Sequence, residues 1–264
     1  MQGSQGSQGS QDAPVKRPVW DGAGRMPSIS LGYNCWSATC GVTNDLRGMK
    51  RDGAYNTCPF DLVLASAEGI ARCLEDGLES MYDPAHLRLV RAPGGTNERT
   101  GRLRSSTNPH DGVGCVLLVH ARYGFVFSHE SPDTLHVVEK WEGGATHFVA
   151  DGHREFVARY SRRCANLRAY VREAAERGLR MTFTVTVPKG MPDVADAIHR
   201  RLRAAVVDHL LPPGSPDPHF ALFEEDDAEQ YLSDMELIDA VTTFYNSWMC
   251  PHPPGGGTSE NSKA

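Results

Sequence analysis

Along residues 153–178 apolar side chains return at every third and fourth position. In HREFVARYSRRCANLRAYVREAAERG, Phe156, Val157, Tyr160, Cys164, Leu167, Val171 and Ala174 make one stripe, which predicts a long helix ending near Gly178. The period then changes. MTFTVTV alternates Phe183, Val185 and Val187 with threonines as a strand does, PDVADAIHRRLRAAVVDHLL returns to helical spacing, and HFALFEE reads as a further strand. Strand, helix, strand predicts a right-handed parallel crossover.

The first half is patterned more weakly. SISLG, residues 28–32, reads as a short strand, and GCVLLVHARYGFVFSHE as a hairpin turning near Ala121 to Tyr123. DLVLASAEGIARCLEDGL, starting at Asp61, reads as a helix that buries Leu62, Leu64, Ala65, Ile70, Cys73 and Leu74. The sum is a single domain of α/β or mixed α+β class, a central sheet with helices packed on it. The alternative is an open, mostly parallel three-layer sheet.

The pattern stops at both ends. Residues 1–25 form a Gly/Ser/Gln-rich tail and residues 251–264 a second polar tail, both expected to be disordered, which leaves 26–250 as the domain. Residues 91–112 read as a long polar loop inside it. The formal net charge of -6 gives no general reason to expect nucleic acid or an anionic membrane as partner. No run of about 18 apolar residues occurs and the start lacks the apolar core of a secretory signal, so a soluble intracellular protein is expected. The seven cysteines, an odd number without Cys-x-x-Cys spacing, are expected to be reduced thiols.

One of these thiols stands apart by position. Cys35 follows the SISLG strand and opens CWSATCGVTNDLRGM, a segment whose beginning suits a helix. Unpaired N–H groups and the positive end of a helix dipole stabilise a thiolate there. Against this, free cysteine is among the most buried residue types, and Cys35 is equally readable as one more core sulfur. A thiol nucleophile needs a base, normally a distant histidine. His129, at the end of the apolar run GFVFSHE, is the best placed of eleven. Two carboxylates are candidates to orient it: Glu130, which as a strand neighbour would point the other way, and Asp61, which alternatively caps the helix that follows it.

Other chemistry is weaker. His147, Asp151 and His153 in THFVADGH have spacings compatible with metal ligands, but the segment also reads as a turn with Asp151 capping the long helix. Arg154, Arg159, Arg162, Arg163, Arg168, Arg172 and Arg177 offer a phosphate or nucleic-acid surface, or a solvated face paired with Glu155, Glu173 and Glu176. The solvated face is the expectation. No Gly-rich phosphate loop follows a strand, and no metal or cofactor is expected.

SISLGYNCWSA, CPFDL, YGFVFSHE, YSRRCANL and MTFTV, in this order over residues 28–187, resemble the successive motifs of a domain-of-unknown-function family described as papain-like cysteine peptidases. Ser30, Leu31, Gly32 and Cys35 match its first motif in full. Pro59, Phe60 and Asp61 match the second, with Leu62 in place of Trp. His129 matches the family histidine, while Glu130 and Ser131 stand for Asp and Phe. The resemblance implies a papain-like fold and a thiol/imidazole site built on Cys35 and His129, with Asp61 or Glu130 as third residue. The function expected is hydrolysis or transfer at a peptide, isopeptide or other acyl bond, with the backbone N–H of Cys35 helping to hold the oxyanion. A non-catalytic binding module with a structural Cys and His is the competing expectation. The substrate would be a peptide or protein; the sequence sets no oligomeric state.

Overall fold

The computed structural model describes residues 26–92, 115–132, 135–226 and 228–249. Strand β1 (Ile29–Ser30) leads into helix α1 (Cys35–Thr43), and helix α2 (Ala67–Glu75) follows. Strands β2 (Leu87–Ala92), β3 (Cys115–His120) and β4 (Phe125–Val126) precede a short helix α3 (Leu135–Lys140) and the long α4 (Arg154–Glu176). Strand β5 (Thr182–Pro188), helix α5 (Pro192–Ala205), strand β6 (His219–Glu225) and helix α6 (Ala228–Met249) follow in order. Among the described residues no helix is long and apolar enough to cross a membrane. Both expected tails, and all but the first two residues of the expected 91–112 loop, lie outside the described residues.

The chain is mixed α/β. β1, β5 and β6 are parallel in the order β1-β5-β6, and β5–α5–β6 is the crossover that the changing period predicts. β2, β3 and β4 form an antiparallel set. The alternative of a mostly parallel sheet fails there for a geometric reason: residues 121–124 between β3 and β4 make a tight turn, and parallel neighbours need a crossover of a dozen residues or more.

Two residues join the halves. Leu64 exchanges both backbone hydrogen bonds with Val126 of β4, at 3.0 and 2.9 Å, and Ala65 N–H donates to the carbonyl of Tyr33 just beyond β1, at 2.8 Å. Successive residues of an extended chain present their backbone groups to opposite sides, so this short piece bonds one half with Leu64 and the other with Ala65. It also explains why the helix expected from Asp61 starts late. Residues 59–62 are a turn, 64–65 are extended, and α2 begins only at Ala67, where Ser66 Oγ accepts from Gly69 N–H as the cap.

The stripe on α4 packs as its spacing predicts: Phe156, Tyr160, Cys164, Leu167, Val171 and Ala174 are buried. Phe127, after β4, meets Phe156 and Tyr160 edge to face, with centroids 4.7 and 4.9 Å away, which locks α4 to the antiparallel half. Sequence periodicity had not marked α6, yet Tyr231, Ile238 and Val241 on it are buried. A Cβ on Gly124 would stand 2.8 Å from Ile238 Cγ2, and Gly124 has φ of 71°, so glycine is required in the β3–β4 turn.

Candidate functional site

Most residues of SISLGYNCW have structural work that their chemistry explains. Ser30 and Leu31 are buried at the start of the sheet. A Cβ on Gly32 would fall 1.2 Å from Ser37 Oγ, so only glycine lets the first turn of α1 lie against the strand end. Ser37 and Thr186 of β5 then share a short hydrogen bond that pins helix to sheet. Tyr33 gives its carbonyl to Ala65 and its ring to Tyr231 of α6, edge-on at 4.9 Å. Asn34 is the N-cap, its side chain accepting from Trp36 N–H at 2.8 Å. Cys35 and Trp36 are left exposed in the first turn.

Cys35 is unlike the other described cysteines. Cys40, Cys58, Cys73 and Cys164 are all buried. Burial, the largest influence on each, pushes their thiols up: Cys58 and Cys73 well above the ordinary value, Cys164 to about 12, and Cys40 upward with help from Glu225. Their thiolates are suppressed. Cys115 is described only through its backbone, and Cys250 lies outside the described residues.

His129 lies in a single 3-10 turn, Ser128–Glu130, which follows β4 and is half-buried at the histidine. Val126 and Tyr33 lie on either side of the 64–65 piece, so at about 4.8 Å per strand spacing their backbones are roughly 10 Å apart. Cys35 is two residues beyond Tyr33 and His129 three beyond Val126.

The two candidate carboxylates are engaged in other bonds. Asp61 does not cap the following helix as expected. Its carboxylate is buried and takes Arg47 Nη1 at 2.9 Å, the Tyr55 hydroxyl at 3.0 Å and the backbone N–H of Cys58 at 2.7 Å. Arg47 in turn donates from Nη2 to the Ala38 carbonyl in α1, at 3.0 Å, with its guanidinium 4.1 Å from the Tyr55 ring centroid. Glu130 is wholly buried as well. Its Oε1 lies 2.9 Å from Arg159 Nε and 3.3 Å from Arg163 Nη1, and its Oε2 accepts from the Tyr160 hydroxyl at 3.1 Å. Neither carboxylate is free to serve an imidazole as its main partner. Both act as anchors instead: Asp61 ties the helix that begins at Cys35 to the 58–61 turn, and Glu130 ties the turn carrying His129 to α4. The charge of Asp61 is also felt by Arg163, so the two anchors stand close to each other.

Sequence reasoning missed the arginines that do this. It paired the α4 arginines with Glu155, Glu173 and Glu176 as a solvated face. Arg154 with Glu155 and Arg177 with Glu173 are such pairs. Arg159 and Arg163 are not, having exposures of 15% and 5% and a partner, Glu130, from another element. The signal was present: Arg163 falls inside the apolar stripe, three residues after Tyr160, and a cation there has to meet an anion.

The suspected metal ligands are engaged separately. His147 Nδ1 is 2.7 Å from the Glu142 carbonyl and its ring stacks on Trp141, Asp151 pairs with Arg154 at the surface, and His153 precedes α4 at a φ of 68°. No group of three metal-ligating side chains occurs among the described residues. Comparisons with protein-family models, curated proteins and solved structures found no match for this chain.

Proposed function

We propose that the protein is a thiol-dependent hydrolase or acyl transferase in which Cys35 is the nucleophile and His129 the general base and acid. The observation that carries this reading is the exposure of Cys35 in the first turn of α1, while four other cysteines are buried with suppressed thiolates. In the first step His129 takes the thiol proton as Cys35 Sγ attacks the acyl carbonyl. The tetrahedral oxyanion is met by first-turn backbone N–H groups, that of Cys35 among them. Its collapse expels the leaving group, which takes the proton back from His129, and leaves a thioester. Water or another acceptor, deprotonated by His129, then releases the acyl group and restores the thiol. The likeness of the five motifs to papain-like cysteine peptidases supports the same pair, with a peptide or isopeptide bond as the natural acyl centre.

Mass-mapped alkylation across pH tests it. Cys35 is expected to react fastest of the seven cysteines near pH 6, where an ordinary thiol of pKa about 8.5 is almost wholly protonated. His129→Ala is expected to move the onset of Cys35 reaction to higher pH, and His147→Ala to leave it in place. A Cys35 no faster than Cys40 or Cys58 overturns the enzyme reading in favour of a non-catalytic binding module.

A further inference from the structure

Beside the turn that carries His129 the molecule gathers positive charge. Arg162 and Arg163 stand three and four residues beyond Arg159, one turn along α4. Lys50, in the 3-10 turn Lys50–Asp52, stands near enough to feel all three. Among the described residues Asp61 is engaged by Arg47, and Glu130 is the carboxylate at ion-pair distance from Arg159 and Arg163. Lys50 and Arg162 are exposed and make no ion pair among the described residues. The crowding occurs in a protein whose net charge is -6, so it is local and not a consequence of composition.

Three details favour an anion as the ligand of this surface. Partial desolvation, and after it the charges of Arg159, Arg163 and Arg162, lower the affinity of Lys50 for its proton, with Asp61 opposing them too weakly to cancel the effect. Arg159 Nε and Arg163 Nη1 are buried at 2.9 and 3.3 Å from the same oxygen of Glu130, so one carboxylate is shared between two guanidiniums. The guanidinium of Arg159 lies 5.1 Å from the Trp141 ring centroid and 5.2 Å from that of Phe148, and the buried Trp141 indole N–H has no hydrogen-bond partner among the described residues. The guanidinium of Arg159 thus packs beside both rings, which touch each other at 5.3 Å, and its charge is fixed at this end of α4.

We propose that Lys50, Arg159, Arg162 and Arg163 form an anion-recognition wall beside the Cys35/His129 site, and that the acyl substrate is acidic, carrying a carboxylate or phosphate that docks on this wall. The wall stands on its own geometry. Its role in choosing a substrate rests on Cys35 being the nucleophile. The exposed cations Lys50 and Arg162 meet the anion, and Arg159 and Arg163, held by Glu130, supply positive potential behind them.

Two measurements on the full chain test it separately. Inorganic phosphate and succinate, each against sodium chloride at equal ionic strength, are added while thermal unfolding is followed. One of them is expected to raise the midpoint by a few degrees, phosphate if the natural group is a phosphate and succinate if it is a carboxylate. Lys50→Ala/Arg162→Ala, two exposed positions, is expected to lose the shift. Arg177→Ala, about 22 Å along the same helix from Arg162, is expected to keep it. No shift with either anion, or a shift that survives the double substitution, overturns the wall.

The second measurement compares Cys35 alkylation by anionic iodoacetate and neutral iodoacetamide. The rate ratio is expected to favour iodoacetate, and to fall about three- to tenfold in the double variant. Anion binding with a ratio indifferent to the double substitution places the wall away from the sulfur and overturns the acidic-substrate claim. A Cys35 inert to both reagents, with the midpoint shift intact, overturns the nucleophile and leaves the anion site standing.

Discussion

Asp61 and Glu130 meet their arginines out of contact with water, whereas Glu68 and Glu75 meet Arg201 at the surface between α2 and α5. The chemistry is the same, guanidinium against carboxylate, at 2.9 Å for Arg47 with Asp61 and 2.6 Å for both oxygens nearest Arg201. Distance does not separate the two regions. What separates them is what happens when one partner is removed. At the surface water replaces the lost ion, while in the interior nothing does, so the buried pairs hold geometry far more firmly than their own net stability implies. The buried set is also the one that ties α1 and the His129 turn to the rest of the molecule, so the candidate site depends on it.

The sharpest way to break the comparison is to strand the buried arginines. Glu130→Ala leaves two guanidiniums, of Arg159 and Arg163, without their shared anion and is expected to cost about 3–5 kcal/mol in urea unfolding. Asp61→Ala strands one guanidinium, that of Arg47, together with the Tyr55 hydroxyl and the Cys58 N–H, and is expected to cost about 3 kcal/mol. That exceeds the loss expected of a helix cap, so a cost under about 1 kcal/mol would return Asp61 to the minor role its position before a helix first predicts.

A buried group that titrates sharpens the contrast. His120 on β3 is wholly buried, donates from Nε2 to the Ser80 carbonyl at 2.8 Å, and stacks on Tyr123. Desolvation, the largest cause, with the nearby charges of His86 and Arg122 adding to it, lowers its pKa to about 4 against the Ser80 bond that raises it. The unfolded chain, with a pKa near 6.5, therefore binds more protons between these values, and stability falls as pH drops through that window. The loss from this residue is expected to be about 2 kcal/mol between pH 7 and pH 5. Comparing unfolding free energies of wild type and His120→Phe over that range checks it, since the phenylalanine variant should show a flatter dependence. An unchanged slope would mean that folding does not lower the pKa of His120.

How far the sequence alone could carry these conclusions follows the same division between what is local and what is shared. The α4 stripe, the β5–α5–β6 crossover and the β3–β4 hairpin were legible because each rests on the period of its own residues. The start of α2 was misplaced because Leu64 and Ala65, apolar residues in the run that leads to Ile70, are taken by Val126 and Tyr33, and backbone partners two halves of a sheet away leave no mark on local pattern. Cys35 could be picked out from strand-then-helix order, and its exposed place at the head of α1 is where that order puts it. Glu130 and Asp61 were noticed for the wrong work. Their partners Arg47, Tyr55, Arg159 and Arg163 come from up to 33 positions away, as Arg163 against Glu130 shows, and only the arginine within an apolar stripe hinted at them.

The smallest expected effect is on the surface pair, and it closes the comparison because Arg201 looks strong by every count of bonds. Its Nε and Nη1 meet Glu68 and Glu75 at 2.6 Å, and those contacts push its pKa up. Yet its side chain keeps 31% of its exposure, Glu68 keeps 59% and Glu75 33%, so both carboxylates have water to fall back on. Holding three long side chains in one arrangement costs rotamer entropy that the solvent-weakened attraction barely offsets. Arg201→Ala is therefore expected to cost less than about 1 kcal/mol at physiological salt, most of it disappearing at 1 M salt, where the screening length is about 3 Å. Urea unfolding of the variant at low and high salt measures it. A loss above about 2 kcal/mol that persists at 1 M would show that α2 and α5 are clamped by this residue as firmly as α1 is by Arg47, and the distinction between the two regions would fail.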